Sequence, residues 1–291
     1  MRTNVLLFVI LPLAFFLSGC KVFDNEVIVP GYVYIPSVKF ETPGDNSKGD
    51  STSKITDVWI YCNGSLEGTI GLPALLPINK NGSVEIGVDA GVLRTGQNSE
   101  RIPYALATRE YFKIDLAPNQ IDTLMPVFKY SPSAEFKMIE DFDGNGFRFD
   151  YTLKLAGDTV VPITGDSARN PKKKSGLVKI GTATDVFSLT TSEFYPLTGY
   201  GTPSFLEMDY FSDAILYIGL VVKDGRTGDV YTVPVYNAFP TSTWNKVYID
   251  LAQEVSARPQ GSSFKIYINV KKGVGTPSPK IILANIKLIQ G

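Results

Sequence analysis

The sequence predicts an all-β protein built from two consecutive β-sandwiches. Apolar residues make up 44% of the 291 residues and charged residues 20%, a composition that supports a packed core. Aromatic residues reach 12% and fall in short runs with valine, isoleucine and threonine, the residue types enriched in strands. Glycine, proline and asparagine separate these runs at short intervals, which is typical of antiparallel sandwiches.

The first twenty residues carry an export signal. Arg2 supplies a positive charge, and the apolar run Val5–Leu17 has 13 residues, which suits a signal peptide and is too short to span a bilayer. Residues Leu17–Cys20 then resemble the lipobox of bacterial lipoproteins. The resemblance implies removal of residues 1–19 and lipidation of Cys20 with more than one acyl chain, which makes a stable anchor. An ordinary secretory signal with a chance cysteine is the alternative.

The residues after Cys20 predict the destination of the exported chain. No aspartate follows Cys20 directly, so the common inner-membrane retention signal is absent and the outer membrane is expected. Asp24 and Glu26 weakly resemble the acidic tags of surface-exposed lipoproteins, and a solvated tether explains them equally well. The sequence does not determine whether the protein faces the periplasm or the cell surface. A formal net charge of −1 excludes a broad basic face and makes nucleic acid a poor partner.

Residues 20–54 are predicted to form a lipidated tether and a first edge strand. The segment 27–40 is rich in valine, isoleucine and tyrosine, and Pro30 and Pro36 interrupt it. Because proline lacks the N–H that a central strand must donate, the segment is interpreted as edge strand.

The first sandwich is predicted over residues 55–130. An alternating run ends at Asn63-Gly64, a two-residue hairpin signal because both positions tolerate positive φ. Asn81-Gly82 is interpreted as a second hairpin for the same reason. Six or seven short strands in about 100 residues indicate an immunoglobulin-like β-sandwich.

The same stretch resembles a recurrent N-terminal module of surface and periplasmic lipoproteins. The resemblance implies a fold and no chemistry. The residues that carry it are Val58–Gly64, Gly68, Leu72–Ala74, Ala90–Val92, Gly96, Arg101, Tyr104 and Pro126–Tyr130.

Residues 134–291 are predicted to form the second sandwich. Eight or nine strand-like runs, separated by turns such as Asp224-Gly225, fit a jelly roll, and one helical turn is predicted at 252–257. Segments 139–143, 243–251 and 282–288 resemble the galactose-binding-like jelly rolls, a superfamily that includes many carbohydrate-binding modules. The resemblance implies this fold. It also implies a sugar, protein or lipid ligand, or only a stabilising role.

Several kinds of chemistry are excluded by composition. The chain has no histidine, which excludes Ser-His-Asp and Cys-His catalysis and His-ligated zinc. With Cys20 lipidated, Cys62 has no partner for a disulfide within the chain. It is interpreted as a buried strand residue, with a reactive thiol as the alternative. No acid pair stands in a recognisable catalytic motif, so the protein is predicted not to be an enzyme.

A polar segment at the start of the second sandwich is a candidate calcium site. Asp141, Asp143 and Asn145 have the Asp-x-Asp-x-Asn spacing of a calcium loop, but Thr152 stands where an EF-hand has its bidentate glutamate. Glu140, Asp141, Asp143 and Asn145 are therefore candidates for a structural calcium, and no other cofactor is predicted. A polar turn is the alternative.

A loop at 194–203 carries aromatic residues that could stack on sugar rings, with polar neighbours for the hydroxyl groups. Packing of these aromatics inside the sandwich is the alternative, and an exposed patch would equally suit a protein partner. The candidate ligand-binding residues are Tyr195, Tyr200, Phe205, Asp209, Tyr210, Arg226, Tyr236 and Asn237.

Three functions follow from these observations. The favoured one is a non-enzymatic, lipid-anchored envelope protein whose jelly roll binds a glycan. The alternative is a structural or accessory subunit of an outer-membrane or cell-surface complex, with a protein as its partner. A hydrolase with an unfamiliar acid pair is the third.

Overall fold

The computed structural model describes residues 29–45, 47–96, 100–144, 146–153, 155–272 and 277–291. The signal peptide, Cys20 and Asn145 lie outside this part of the chain, so their predicted roles stay predictions. No helix among the described residues is long and apolar enough to cross a membrane.

The N-terminal unit, residues 29–130, consists of strands. β1 lies between β5 and β9, β2 pairs with β10, and β6 pairs with β3, β7 and β8 while β4 pairs with β3. The strands are β1 (Gly31–Ile35), β2 (Lys39–Glu41), β3 (Asp57–Cys62), β4 (Ser65–Gly71), β5 (Ala74–Ile78), β6 (Gly82–Leu93), β7 (Arg101–Pro103), β8 (Glu110–Leu116), β9 (Ile121–Thr123) and β10 (Val127–Lys129).

Two local predictions for this unit are confirmed. β3 and β4 form a hairpin, and Asn63 and Gly64 have φ values of 50° and 83°, as a two-residue turn of positive φ requires. Cys62 is a buried strand residue, and burial raises the pKa of its thiol.

Two other local predictions are wrong. Asn81-Gly82 is not a hairpin, because β5 pairs with β1 while β6 belongs to a different sheet. β1 is not an edge strand, because β5 and β9 flank it on both sides. Pro30 and Pro36 lie just outside β1, so every residue within the strand keeps its N–H.

The C-terminal unit, residues 134–291, is a sandwich of two sheets. The first has the order β13-β14-β22-β17-β20, with β11 also paired to β22. The second has the order β12-β15-β21-β18-β19, with β16 also paired to β21. Their strands are β11 (Glu135–Glu140), β12 (Phe149–Leu153), β13 (Thr159–Ile163), β14 (Ser175–Lys179), β15 (Val186–Thr191), β16 (Tyr195–Pro196), β17 (Ser204–Ser212), β18 (Leu216–Lys223), β19 (Val230–Ala238), β20 (Asn245–Asp250), β21 (Ser263–Lys271) and β22 (Ile281–Gln290), and the predicted helical turn is α1 (Ala252–Ser256).

The protein is therefore all-β and built of sandwich sheets, as the sequence predicts. The main core lies between the two sheets of the C-terminal unit, where residues such as Leu206, Met208, Ile218, Ile266 and Leu288 are fully buried or nearly so. Burial of this apolar surface is the main source of the unit's stability.

The first sheet of the C-terminal unit is covered on its outer face by the N-terminal unit, and we call it the docked sheet. Phe205, Tyr248 and Ile289 point out of this sheet and join the core of the N-terminal unit. The ring of Tyr104 lies 5.2 Å edge-on from Phe205 and 5.0 Å from Tyr248. Such aromatic pairs add about 0.5–1.5 kcal/mol beyond area burial.

Charged side chains occupy the middle of the same face. Glu207 Oε2 lies 2.7 Å from Lys246 Nζ, and the Glu207 carboxylate also accepts hydrogen bonds from the hydroxyls of Tyr104 and Tyr130. Lys287 Nζ donates to Tyr130 Oη at 3.0 Å. Burial by itself would raise the pKa of Glu207, but the ammonium groups of Lys246 and Lys287 hold it below its usual value. This network ties both units together.

We call the other sheet of the C-terminal unit the open sheet, because outward residues of β18 and β19 such as Lys223, Thr232 and Asn237 are exposed. Along β19, exposed and half-buried residues alternate from Val230 to Val235. A sheet with one face on the core and one in water shows this alternation. The open sheet is therefore the face of the sandwich that a ligand can reach.

Candidate functional site

Four of the predicted ligand-binding residues are buried. Phe205 and Asp209 point from β17 into the docked face, and Asp209 has no exposed surface. The Asp209 carboxylate accepts hydrogen bonds from Arg169 Nε at 3.2 Å, from Thr52 Oγ1 at 2.5 Å and from Asn285 Nδ2 at 3.2 Å. Its acceptor sites are therefore taken by the protein.

Tyr210 and Tyr236 lie in the core of the sandwich. The Tyr210 hydroxyl donates to the carbonyl of Phe239 at 3.2 Å and accepts from Asn245 Nδ2 at 3.0 Å. Burial, with Tyr210 nearby, raises the pKa of Tyr236 to about 12. These four residues offer almost no surface to a ligand, because β17 is covered on both faces and the two tyrosines fill the interior.

The other four predicted residues reach the surface at different places. Asn237 pairs with Tyr217 near the start of β18, whereas Arg226 lies in the turn beyond Lys223 at its end. At about 3.3 Å per residue, six residues of strand separate these two places by roughly 20 Å. Tyr195 is half-buried against the core, and Tyr200 is 78% exposed. The structure does not bring the eight residues into one site.

A pocket of about 260 Å³ lies beside Tyr200, at the end of the sandwich where β21 begins. The loop 196–200 forms one wall, and the segment 255–264 forms the other. Apolar Val255 and Phe264 line it together with the polar side chains of Arg258 and Gln260. The mixture of apolar surface and a few polar groups is typical of small-molecule sites.

Tyr200 has a backbone conformation that non-glycine residues rarely adopt. Its φ is 59°, in the left-handed region, and Gly201 follows with a φ of 86°. The N–H of Tyr200 donates to Ser256 Oγ at 3.0 Å, which ties the loop to α1. Such backbone strain costs on the order of 1–3 kcal/mol and concentrates at functional sites. Here it holds an aromatic ring in water.

Gln290, at the end of β22, also fixes the loop that carries Tyr200. Its Oε1 accepts from the N–H of Thr198 at 3.0 Å, and its Nε2 donates to the carbonyl of Thr198 at 2.9 Å and to Ser204 Oγ at 2.8 Å. Sequence reasoning missed this residue. The available signal was one polar side chain at the end of the otherwise mostly apolar run 281–289.

Arg258 supplies the charge of the pocket. Its Nη2 donates to Glu254 Oε2 at 3.0 Å, and the guanidinium lies 5.8 Å from the centre of the Tyr231 ring. These contacts orient the side chain, and a guanidinium has five N–H donors in all. Tyr200 can therefore stack on a flat apolar surface while Arg258 and Gln260 donate to hydroxyl oxygens.

Three of the four predicted calcium residues are described, Glu140 at the end of β11 and Asp141 and Asp143 just after it. Glu140 accepts from the N–H groups of Phe142 at 2.7 Å and Arg148 at 2.6 Å, and burial raises its pKa. Asp141 Oδ1 accepts from the N–H of Asp143 at 3.0 Å. Among the described residues no group of three acidic or cysteine side chains could hold a metal ion. Calcium takes six to eight oxygens, which can include backbone carbonyls and waters, and the calcium site stays a prediction.

Comparison with known proteins finds structural neighbours only. No family model and no curated protein matches the chain. A structure of carbohydrate-binding modules from the β-sandwich superfamily covers 90% of this chain and 99% of its own at 12% identity, with a TM-score of 0.41. The family 11 carbohydrate-binding module of a Clostridium thermocellum cellulase covers 54% of this chain and 95% of its own at 17% identity, with a TM-score of 0.35.

A third neighbour is a two-module structure of Clostridium thermocellum xylanase 10B with xylohexaose, at 10% identity and a TM-score of 0.42. The match covers 54% of this chain but only 28% of the xylanase structure. All three TM-scores lie below 0.5. These overlays therefore carry no argument about function.

Proposed function

We propose that this chain is a non-enzymatic glycan-binding protein, anchored in the outer membrane through lipid on Cys20. The observation that supports it most is the pocket beside Tyr200, where a strained backbone presents an aromatic ring to solvent. Sugar rings stack on aromatic side chains through their C–H faces, and their hydroxyls take hydrogen bonds from groups such as Arg258 and Gln260.

The size of the pocket limits what it holds. At about 260 Å³ it is smaller than the roughly 300–1,000 Å³ of sites for drug-sized ligands. One sugar unit, at a chain end or as a side branch, is therefore the proposed occupant. Ser256 and Gln290 fix the loop before the ligand arrives, which lowers the entropy cost of binding.

The test is a glycan array followed by titration of the best ligand with two variants. Tyr200→Ala is expected to weaken binding about tenfold, the effect of losing roughly 1.4 kcal/mol of stacking. Tyr111→Ala, which removes another exposed tyrosine from the N-terminal unit, is the matched control and should bind like the parent. An array with no ligand, or equal affinity for parent and Tyr200→Ala, would contradict the proposal.

A second candidate function rests on the outer face of the N-terminal unit. The Arg109 guanidinium lies 3.8 Å from the centre of the Tyr61 ring and makes two hydrogen bonds of 2.6 Å to Asp89. Beside it, Tyr111 is 59% and Leu66 50% exposed. Tyrosine and arginine are enriched at interface hot spots, so this face favours a subunit of a protein complex.

Affinity purification from gently solubilised membranes separates the two functions. A stoichiometric partner that disappears with Tyr111→Ala and persists with Tyr200→Ala would support the complex. Recovery of the protein alone from both parent and variants would count against it and leave glycan binding as the function to test.

A further inference from the structure

The outer face of the open sheet carries a row of side chains that the pocket does not use. Along β21, Lys265, Tyr267, Asn269 and Lys271 occupy alternate positions and therefore point to the same side of the sheet. A Cβ at Gly219 would lie 2.5 Å from the Tyr267 hydroxyl, so glycine at this position lets that ring lie against the neighbouring strand.

Polar groups continue this row onto neighbouring strands. The register places Tyr217 opposite Asn269 and, on its other side, opposite Asn237. On β15, Ser188 Oγ donates to Asn269 Oδ1 at 2.6 Å, which orients the amide and leaves its N–H groups for another acceptor. The accessible part of this face therefore combines Tyr217 with the amides of Asn237 and Asn269, whereas Tyr267 is buried among its neighbours.

The strands of this face carry more cations than anions. Its strand residues include the cations Lys223, Lys265 and Lys271 and the anion Asp150, a balance of 3 − 1 = +2, whereas the chain has a net charge of −1. Asp150 accepts a hydrogen bond from Ser192. Within the described part of the chain, none of the three lysines forms an ion pair.

We propose that this face binds an anionic polysaccharide, whose carboxylate or sulfate groups are held by Lys265 and Lys271. The two lysines are six residues apart on one strand, roughly 20 Å, so the occupant extends over several sugar units. Widely spaced cations separated by amides and a tyrosine suit a sparsely charged sugar chain better than the dense phosphates of nucleic acid. The site is distinct from the Tyr200 pocket and does not depend on it.

The test is electrophoresis of the full exported chain through gels that contain polygalacturonate, alginate or a sulfated glycan. The parent protein should be retarded, and retardation should fall as salt rises. The double variant Lys265→Gln/Lys271→Gln should have a smaller slope of log Kd against log salt, because two fewer cations displace counterions from the polymer. Lys113→Gln, in the N-terminal unit, is the matched control and should behave like the parent.

Several results would overturn the proposal. One is the absence of retardation by all three anionic polymers. A second is retardation by neutral hydroxyethylcellulose, or binding of single-stranded DNA, as strong as that by the anionic polymers. A third is an unchanged salt slope in the double variant, provided that its thermal unfolding matches that of the parent. Tyr200→Ala should leave this retardation unchanged, so failure of the pocket and failure of the sheet face give different results.

Discussion

The two outer faces of the C-terminal sandwich carry similar residue types and have opposite fates. On the docked sheet, Glu207, Asp209, Lys246 and Lys287 are completely buried or nearly so. On the open sheet, residues at the corresponding outward positions are mostly half-buried or exposed. The comparison shows that a charged residue on a strand does not mark a surface. Whether such a residue is exposed depends on whether another part of the chain covers that face of the sheet.

Burial changes what each charge contributes. A buried ion pair offsets its desolvation only when the geometry is good and the remaining donors and acceptors are satisfied. Glu207 accepts hydrogen bonds from Tyr104 and Tyr130, and the ammonium of Lys246 lies 2.7 Å from its Oε2. A lysine in water, such as Lys271, has no such requirement. The same substitution should therefore have very different effects on the two faces.

The largest expected effect comes from removing a lysine on the docked face. Lys246→Gln leaves Glu207 buried beside a neutral amide and should lower the free energy of unfolding by about 3–5 kcal/mol. Lys271→Gln on the open face is the matched control, and its effect should stay within about 0.5 kcal/mol. Urea denaturation measures both. A loss below about 1 kcal/mol for Lys246→Gln would mean that water reaches the docked face.

The next effect is a pH dependence from the same face. Burial lowers the pKa of Lys287 from 10.5 to about 7, so between these values the unfolded state binds more protons than the folded state. Stability should therefore rise with pH across this window, by on the order of 2 kcal/mol from pH 7 to pH 9 for this group. Lys287→Met should remove the rise, as seen in urea midpoints at pH 6.5, 8 and 9. A variant profile parallel to that of the parent would show that Lys287 keeps its ordinary pKa.

The smallest expected effect is a gain in stability at the open end of the sandwich. Tyr200→Gly relieves the left-handed backbone strain at the loop and removes a ring that the fold does not bury. The free energy of unfolding should therefore rise by about 1 kcal/mol, and Tm should rise slightly with it. The same variant should lose the ligand of the pocket. A lower Tm would mean that the ring supports the loop, and retained binding would mean that neither the ring nor the backbone strain is needed by the pocket.

Local signals in the sequence predicted local structure well where both partners were close in the chain. The Asn63-Gly64 hairpin formed because its two strands are adjacent in sequence and pair directly. The same dipeptide at Asn81-Gly82 joins strands of different sheets, since β5 pairs with β1, whose residues lie 39 to 47 positions earlier in the chain. A turn signal specifies a reversal of the chain and does not specify which strand will be paired.

The candidate site shows the same limit. For Tyr200, in the loop 194–203, the sequence leaves open both stacking on a ligand and packing inside the sandwich. The structure decides between them, because the side chain is 78% exposed. The sequence interpretation groups Phe205 with Tyr200 as a stacking aromatic and Asp209 as a partner for sugar hydroxyls. They lie within a strand, and the N-terminal unit covers the face to which they point. Ser256 and Gln290, which hold the loop, are distant in sequence and gave no motif.

By itself, the sequence determined the all-β class, the residue types available for chemistry and the lack of any histidine-based mechanism. These depend on composition and on the period-two alternation of strands, which is read along the chain. Only the tertiary structure decided that one charged sheet face is buried and the other open, and that one loop holds a strained tyrosine. Those properties arise from contacts between residues far apart in sequence, and no local pattern encodes which surface will be covered.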